Sequence, residues 1–149
     1  MGETMSVDKL AASSVASSVA TLLIQKRHVL LGRRFEQKGN EKNFTGWQCP
    51  GGYLQKGESV EQAAQRLCIL KAGIEITEMQ PGPYTNNIFS EQLHTTTLYV
   101  IAKGYRVVNR PQFENEQFKW SWFEFEQLPE LLFLPLTFLA PDIKSGCYG

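Results

Sequence analysis

Residues 50–74 read PGGYLQKGESVEQAAQRLCILKAGI, and the strongest local signals of the chain lie here. Pro50-Gly51-Gly52 forces a turn, and the plain reading of the paired glycines is a tight turn that needs positive φ. Ser59 followed by Gln62 is a capping box, the two side chains each satisfying the other's backbone N–H. Ala63, Ala64, Leu67 and Cys68 recur at the spacing of one helical face. Gly73 is the expected terminator, since glycine enters the left-handed conformation without penalty. The spacing predicts a helix over about 59–72.

Upstream, Val19–Ile24 is a short β-prone run, broken by polar Gln25–His28 and resumed at Val29–Gly32, which reads as a hairpin closed by Arg33 and Arg34. Residues 35–46 are polar with two glycines and read as a surface loop. Trp47-Gln48-Cys49 is a short strand entering the glycine turn. Downstream, Ile74–Ile76 starts a strand, Pro81-Gly82-Pro83 reads as a turn, and Thr95–Ala102 is strongly β-prone. Lys119–Phe125 alternates, with Trp120 and Trp122 on one face. A short helix near 126–132 and an apolar, proline-bounded tail, Leu131–Ala140, complete an α+β pattern. Residues 1–14 are small and polar, a flexible N-terminal leader, and 15–149 read as a single domain.

The chain has 149 residues, of which 42% are hydrophobic and 20% charged, ordinary for a globular protein. Fifteen Lys+Arg balance fifteen Asp+Glu. That balance argues against a dedicated nucleic-acid binder, which needs a basic surplus. Three widely spaced cysteines form neither a disulfide framework nor a zinc pattern, and two histidines are too few for a His-based metal site. No apolar run is long enough to cross a membrane. A cytoplasmic location is the default expectation.

Gly52, five residues, Glu58, seven residues, Arg66, then Gly73-Ile74 resembles the signature of the Nudix hydrolase superfamily, with Cys68 in its apolar slot. The flanks are similar too: Leu30–Arg34, Trp47, Pro50-Gly51-Gly52 and Trp120–Phe123. The resemblance implies a Nudix-type α/β/α sandwich with a mixed β-sheet. It also implies Mg²⁺ or Mn²⁺ held by box glutamates, a nucleotide-type small molecule as substrate, and metal-activated water. All three glutamates after Arg66 are replaced here, by Leu67, Leu70 and Lys71. Leucine has no lone pair for a hard cation, and lysine sets a positive charge where the ion would sit. Within the superfamily, Gln55-Lys56 and Arg66-Leu67 look most like GDP-mannose mannosyl hydrolases. Lys71 again departs, from that subgroup's retained glutamate. Glu116-Gln117 resembles its later metal loop, but Phe118 stands at the histidine base, and Tyr53 replaces an arginine after the glycines.

Gly51 and Gly52 are candidates to set backbone against a ligand phosphate, and Arg34 to clamp one, as is Arg33. Glu58 is a weak candidate for catalysis and metal, with Glu116 for catalysis and Gln117 for metal. The structural reading of Glu58 is a carboxylate at a helix N-terminus, and the family resemblance implies that Arg66 pairs with it. Arg66 is a ligand candidate with the same ion pair as its alternative. Lys71 is a candidate fixed cation for a phosphate; its bland alternative is solvation of the last helical turn. Glu114 reads as a loop charge, and His94 as structural. Of Trp47, Trp120, Trp122, Phe89 and Tyr99, most are expected in the core and one or two in a pocket. Leu67–Leu70 span a full turn, so one core face cannot hide them. The expectation is a groove collapsed, filled by neighbours or covered by a partner, with a homodimer as one form.

Three readings follow. The first is a Nudix-family protein for a nucleoside-diphosphate-linked compound, with hydrolysis weak or lost. The second is an active nucleotide-sugar or nucleotide hydrolase using Glu58, Glu116 and Gln117 with backbone carbonyls. The third is a non-catalytic scaffold for a protein partner.

Overall fold

Alternation within Val19–Ile24 builds two cores from one strand. Val19 and Leu23 face one side, and Ala20, Leu22 and Ile24 the other, each set joining a separate buried cluster. The computed structural model describes residues 14–108 and 119–149. The strands are β1 (Ala16–Gln25), β2 (His28–Lys38), β3 (Glu41–Gln48), β4 (Gly51–Tyr53), β5 (Ile74–Ile88), β6 (His94–Val107) and β7 (Ser121–Glu124). They form one sheet with the order β3-β2-β1-β6-β5, in which β4 also pairs β1 and β7 pairs β2. The β1–β6 pair is parallel and the others are antiparallel, so the sheet is mixed.

Helix α1 (Val60–Ala72) buries Ala63, Ala64, Leu67, Cys68 and Ala72 on one face of the sheet. Helix α2 (Leu134–Lys144) buries Leu136, Leu139 and Ile143 on the other. The result is the expected α/β/α arrangement. Each of these larger apolar side chains contributes roughly 1.5–3 kcal/mol on burial. The expected capping box closes α1: Gln62 N donates to Ser59 Oγ at 3.0 Å, and Ser59 N to Gln62 Oε1 at 2.9 Å. Gly73 ends the helix at φ 67°.

Four local expectations are corrected. Residues 35–46 are not a loop but most of a hairpin, paired from Phe35↔Phe44 to Lys38↔Glu41. Both faces of that ribbon are largely exposed, so the apolar alternation that marks a strand is missing. Pro81-Gly82-Pro83 lies within β5, at a register shift, instead of forming a turn. As an edge strand, β5 tolerates residues without an N–H, and a Cβ on Gly82 would meet Tyr99 O at 2.8 Å. The helix expected at 126–132 is a single 3₁₀ turn, Phe125–Gln127. The tail carries the true helix, α2, which Pro135 starts and Pro141 does not stop. Residues 1–13, and with them most of the leader, lie outside the described residues, as do Glu114, Glu116, Gln117 and Phe118. Among the described residues no helix is long and apolar enough to cross a membrane.

Candidate functional site

A cleft of about 330 Å³ opens where α1, the β1–β6 pair and the start of α2 meet. Ser18, Ala20, Thr95, Thr97 and Tyr99 form its floor, Leu67 and Lys71 one wall, and Phe89, Leu93 and Phe133 the far end. The expected collapse of this groove has not occurred. Leu67 is buried, but Ile69 and Leu70 point away from the cleft at 38% and 56% exposure, so the apolar turn is split between core and surface. A helix places i and i+4 on one face, which is why Leu67 and Lys71 share the cleft and Leu70 does not.

The glycines work by vacancy, not by backbone sign. Neither Gly51 nor Gly52 has positive φ, which corrects the tight-turn reading. A Cβ on Gly51 would lie 2.6 Å from Val19 O, and one on Gly52 would lie 2.8 Å from Leu67 Cδ2 and 3.3 Å from Lys71 Nζ. The strand β4 therefore packs closely between β1 and α1, an approach that the missing side chains allow.

Glu58 and Arg66 form a fork outside the cleft lining. Arg66 Nε donates to Glu58 Oε2 at 2.6 Å, Arg66 Nη2 donates to Oε1 at 3.0 Å, and the same Nη2 donates to Tyr53 O at 3.0 Å. Gln55 N also donates to Glu58 Oε1 at 3.0 Å. This bidentate pair staples the glycine loop to α1. The hydrogen bond from Arg66 holds the Glu58 carboxyl below its usual range, aided by the Gln55 N–H.

Lys71 is half-buried, and its ammonium donates to Gly51 O. Burial lowers its pKa, and the positive charges of Arg34 and Arg66 lower it further. Trp120 Nε1 donates to Lys71 O at 3.0 Å, so the backbone under this lysine is pinned. Arg34 enters from β2, donating to Glu36 Oε1 at 3.2 Å and to Thr45 Oγ1 at 2.8 Å. Its guanidinium sits 4.2 Å from the centroid of the Phe133 ring. Phe133 in turn stacks on Phe89, centroids 5.5 Å apart. The cleft thus has a cationic side and an aromatic side.

The floor is a directed hydrogen-bond chain. Buried Asn87 on β5 donates from Nδ2 to Thr95 Oγ1 at 3.0 Å and to Thr97 Oγ1 at 2.9 Å. Thr97 and Ser18 share a 2.8 Å hydroxyl contact, and Ser18 Oγ donates onward to Thr96 O at 3.5 Å. Thr95, whose Oγ1 accepts from Asn87, lines the cleft.

Of the ligand candidates, Arg34, Gly51, Gly52 and Lys71 line the cleft, whereas Arg66 and Glu58 do not. Of the aromatic candidates, Phe89 and Tyr99 line it. Trp47 packs on Phe123, Trp122 packs on Tyr105, and Trp120 is core. Arg33 lies against Phe35, and His94 Nε2 sits 2.6 Å from Asn86 Oδ1. Sequence reasoning missed Phe133, Glu36 and the Ser18–Thr95–Thr97 floor. The alternation of Thr95, Thr97 and Tyr99 is a face signal, but it does not say which strand pairs beside them.

Among the described residues, the side chains of the cleft wall do not fit a divalent cation. Leu67 and Lys71 stand on the cleft wall, Glu58 is committed to Arg66, and no cluster of three or more His, Cys, Asp or Glu occurs among the described residues. Hard cations take carboxylate and carbonyl oxygens, and an ammonium repels them.

A family model described as NUDIX domain matches residues 15–142. An oxidized purine nucleoside triphosphate hydrolase of Mus musculus is 23% identical over 108 residues, covering 72% of this chain but only 65% of that relative. The crystal structure of a MutT NUDIX hydrolase from Burkholderia pseudomallei superposes with a TM-score of 0.67 at 20% identity, over 87% of this chain and 97% of that one. A NUDIX hydrolase from Nitrosomonas europaea gives 0.70 at 15% identity, over 91% of each chain.

Proposed function

We propose, from the premise that this chain belongs to the NUDIX family, that it binds a nucleoside-diphosphate-type compound and that its metal-dependent hydrolysis is weak or lost. One observation carries this reading: Leu67 and Lys71 occupy the cleft wall. In the family, Mg²⁺ or Mn²⁺ would neutralise the diphosphate and activate water; this wall offers neither a carboxylate to hold the ion nor a base. What remains is a binding cleft. Lys71 and Arg34 attract phosphate oxygens, Phe89, Phe133 and Tyr99 offer apolar faces to a base, and Thr95 lies on the floor. The mouse relative is named for an oxidized purine nucleoside triphosphate, which supports a ligand that carries a base and linked phosphates.

The test is a panel of nucleoside triphosphates, dinucleotides and nucleotide sugars, GDP-mannose among them, each with Mg²⁺ or Mn²⁺. The GDP-mannose arm addresses the finer likeness carried by Gln55-Lys56 and Arg66-Leu67. Binding without turnover is the expected result. Turnover that Glu58→Gln abolishes would overturn the reading in favour of an active hydrolase with unusual ligands.

A further inference from the structure

We infer that the Lys71 ammonium is a built-in replacement for the divalent cation, making the cleft a seat for metal-free diphosphate in which magnesium opposes binding. The inference rests on the ligand class proposed above and adds how that ligand is held and what regulates it.

The argument starts from charge that is not answered. The ion pairs of the described residues are Arg27–Glu126, Arg34–Glu36, Arg66–Glu58 and Arg106–Glu75, and none involves Lys71. Among the described residues, the charged groups that act on Lys71 are Arg34 and Arg66, both of its own sign. Arg66 is neutralised by the Glu58 fork, and Arg34 only by Glu36, which is 53% exposed. A half-buried ammonium beside a guanidinium is costly until an anion joins them. An ammonium carries three donors, and the Gly51 carbonyl takes one. The two left over have no carboxylate among the described residues to meet.

Geometry keeps the site ready. The absent side chain of Gly52 lets Leu67 and Lys71 pack directly against the glycine strand, since a Cβ there would stand 2.8 Å from Leu67 Cδ2 and 3.3 Å from Lys71 Nζ. The Trp120 bond pins the lysine backbone, and Phe133 braces the Arg34 guanidinium from the side. A lysine that merely solvated the last turn of α1 would extend into water. This one turns back onto the glycine strand and lines the cleft. A fixed monovalent cation binds phosphate oxygens without supplying activated water, so binding is separated from cleavage.

The experiment is calorimetric titration of the full chain with inorganic pyrophosphate, which carries the phosphates without a base. In chelator, the wild type is expected to bind, and Lys71→Met, shown to be folded by a cooperative melt, to bind at least tenfold more weakly. Millimolar Mg²⁺ is expected to weaken wild-type binding, because the chelated anion loses charge that the ammonium recognises. Lys71→Glu should lose binding in chelator and regain it with Mg²⁺. The magnesium arm needs no variant, so a folding failure in either variant leaves the inference open to refutation. Magnesium that tightens wild-type binding, or no pyrophosphate binding in chelator, would overturn it. A parallel nucleoside-diphosphate titration separates the two proposals. Nucleotide binding untouched by Lys71→Met sinks the lysine seat and spares the ligand class. A nucleoside diphosphate bound no more tightly than pyrophosphate sinks the ligand class and spares the seat.

Discussion

Glu58 is held between the glycine loop and α1 by hydrogen bonds to both of its oxygens. Its two oxygens receive Arg66 Nε and Nη2 and the Gln55 N–H. Because the folded-state pKa of Glu58 is lowered, the associated stability is fully present above the ordinary value of 4.5 and is lost as pH falls through the lower folded value. Glu58→Gln removes the charged acceptor at every pH. The expected outcome is a stability gap between wild type and Glu58→Gln that is widest near neutrality and closes on acidification, read from urea melts between about pH 7 and pH 3. A gap that stays constant below pH 4.5 would show that the pair adds nothing to folding. The pair was expected from the family resemblance, which implies that Arg66 braces Glu58. Its geometry, with a third bond to Tyr53 O, was not, since that depends on the path of the glycine strand.

Helix α1 is the element that local signals specify best. Its cap, apolar face and terminator all appear in the chain order, and all three are found where expected. Ser59→Ala removes the acceptor for Gln62 N and is expected to destabilise by about 1 kcal/mol. That amounts to a fall of roughly 2–4 °C in melting temperature for a chain of this size. An unchanged melting curve would mean that packing, not capping, fixes the helix start. Helix α2 shows the opposite case. Leu136, Leu139 and Ile143 have helical spacing, but Pro135 and Pro141 read as boundaries. Pro135 is harmless in the first turn, where an N–H has no intrahelical partner. The opposite-face cluster supplies the stabilisation that local propensity lacks. The β2–β3 ribbon and the proline-bearing edge of β5 were missed for a related reason. Neither buries an alternating face, so both depend on ladder bonds to a neighbour.

For the molecule as a whole, the two clusters on either side of β1 hold α1 and α2 apart, and the cleft is the gap left at one end. The wall of that gap can be redesigned to test its orientation. Leu67→Glu combined with Lys71→Glu places two carboxylates one helical turn apart in the cleft. Without metal the variant is expected to melt below the wild type, because two like charges share a half-buried site. Millimolar Mg²⁺ or Mn²⁺ should raise its melting temperature by several degrees through binding linkage, and leave the wild type unshifted. A variant indifferent to metal would mean that these two positions do not face a common space.

The family resemblance supplied the expectation that Leu67, Leu70 and Lys71 stand where acidic ligands would; from the residues alone came the helix with its cap and stop and the alternating strands. These are legible because each depends on neighbours a few positions away, within reach of one helical turn or one pleat. The tertiary structure decided that Leu67 and Lys71 face the cleft while Leu70 faces outward, and that Phe89 meets Phe133. It also set Thr95 and Thr97 beside Ser18 through the parallel β1–β6 pair. Those contacts join segments far apart in the chain, and no local pattern encodes which distant strand or helix will cover a given face.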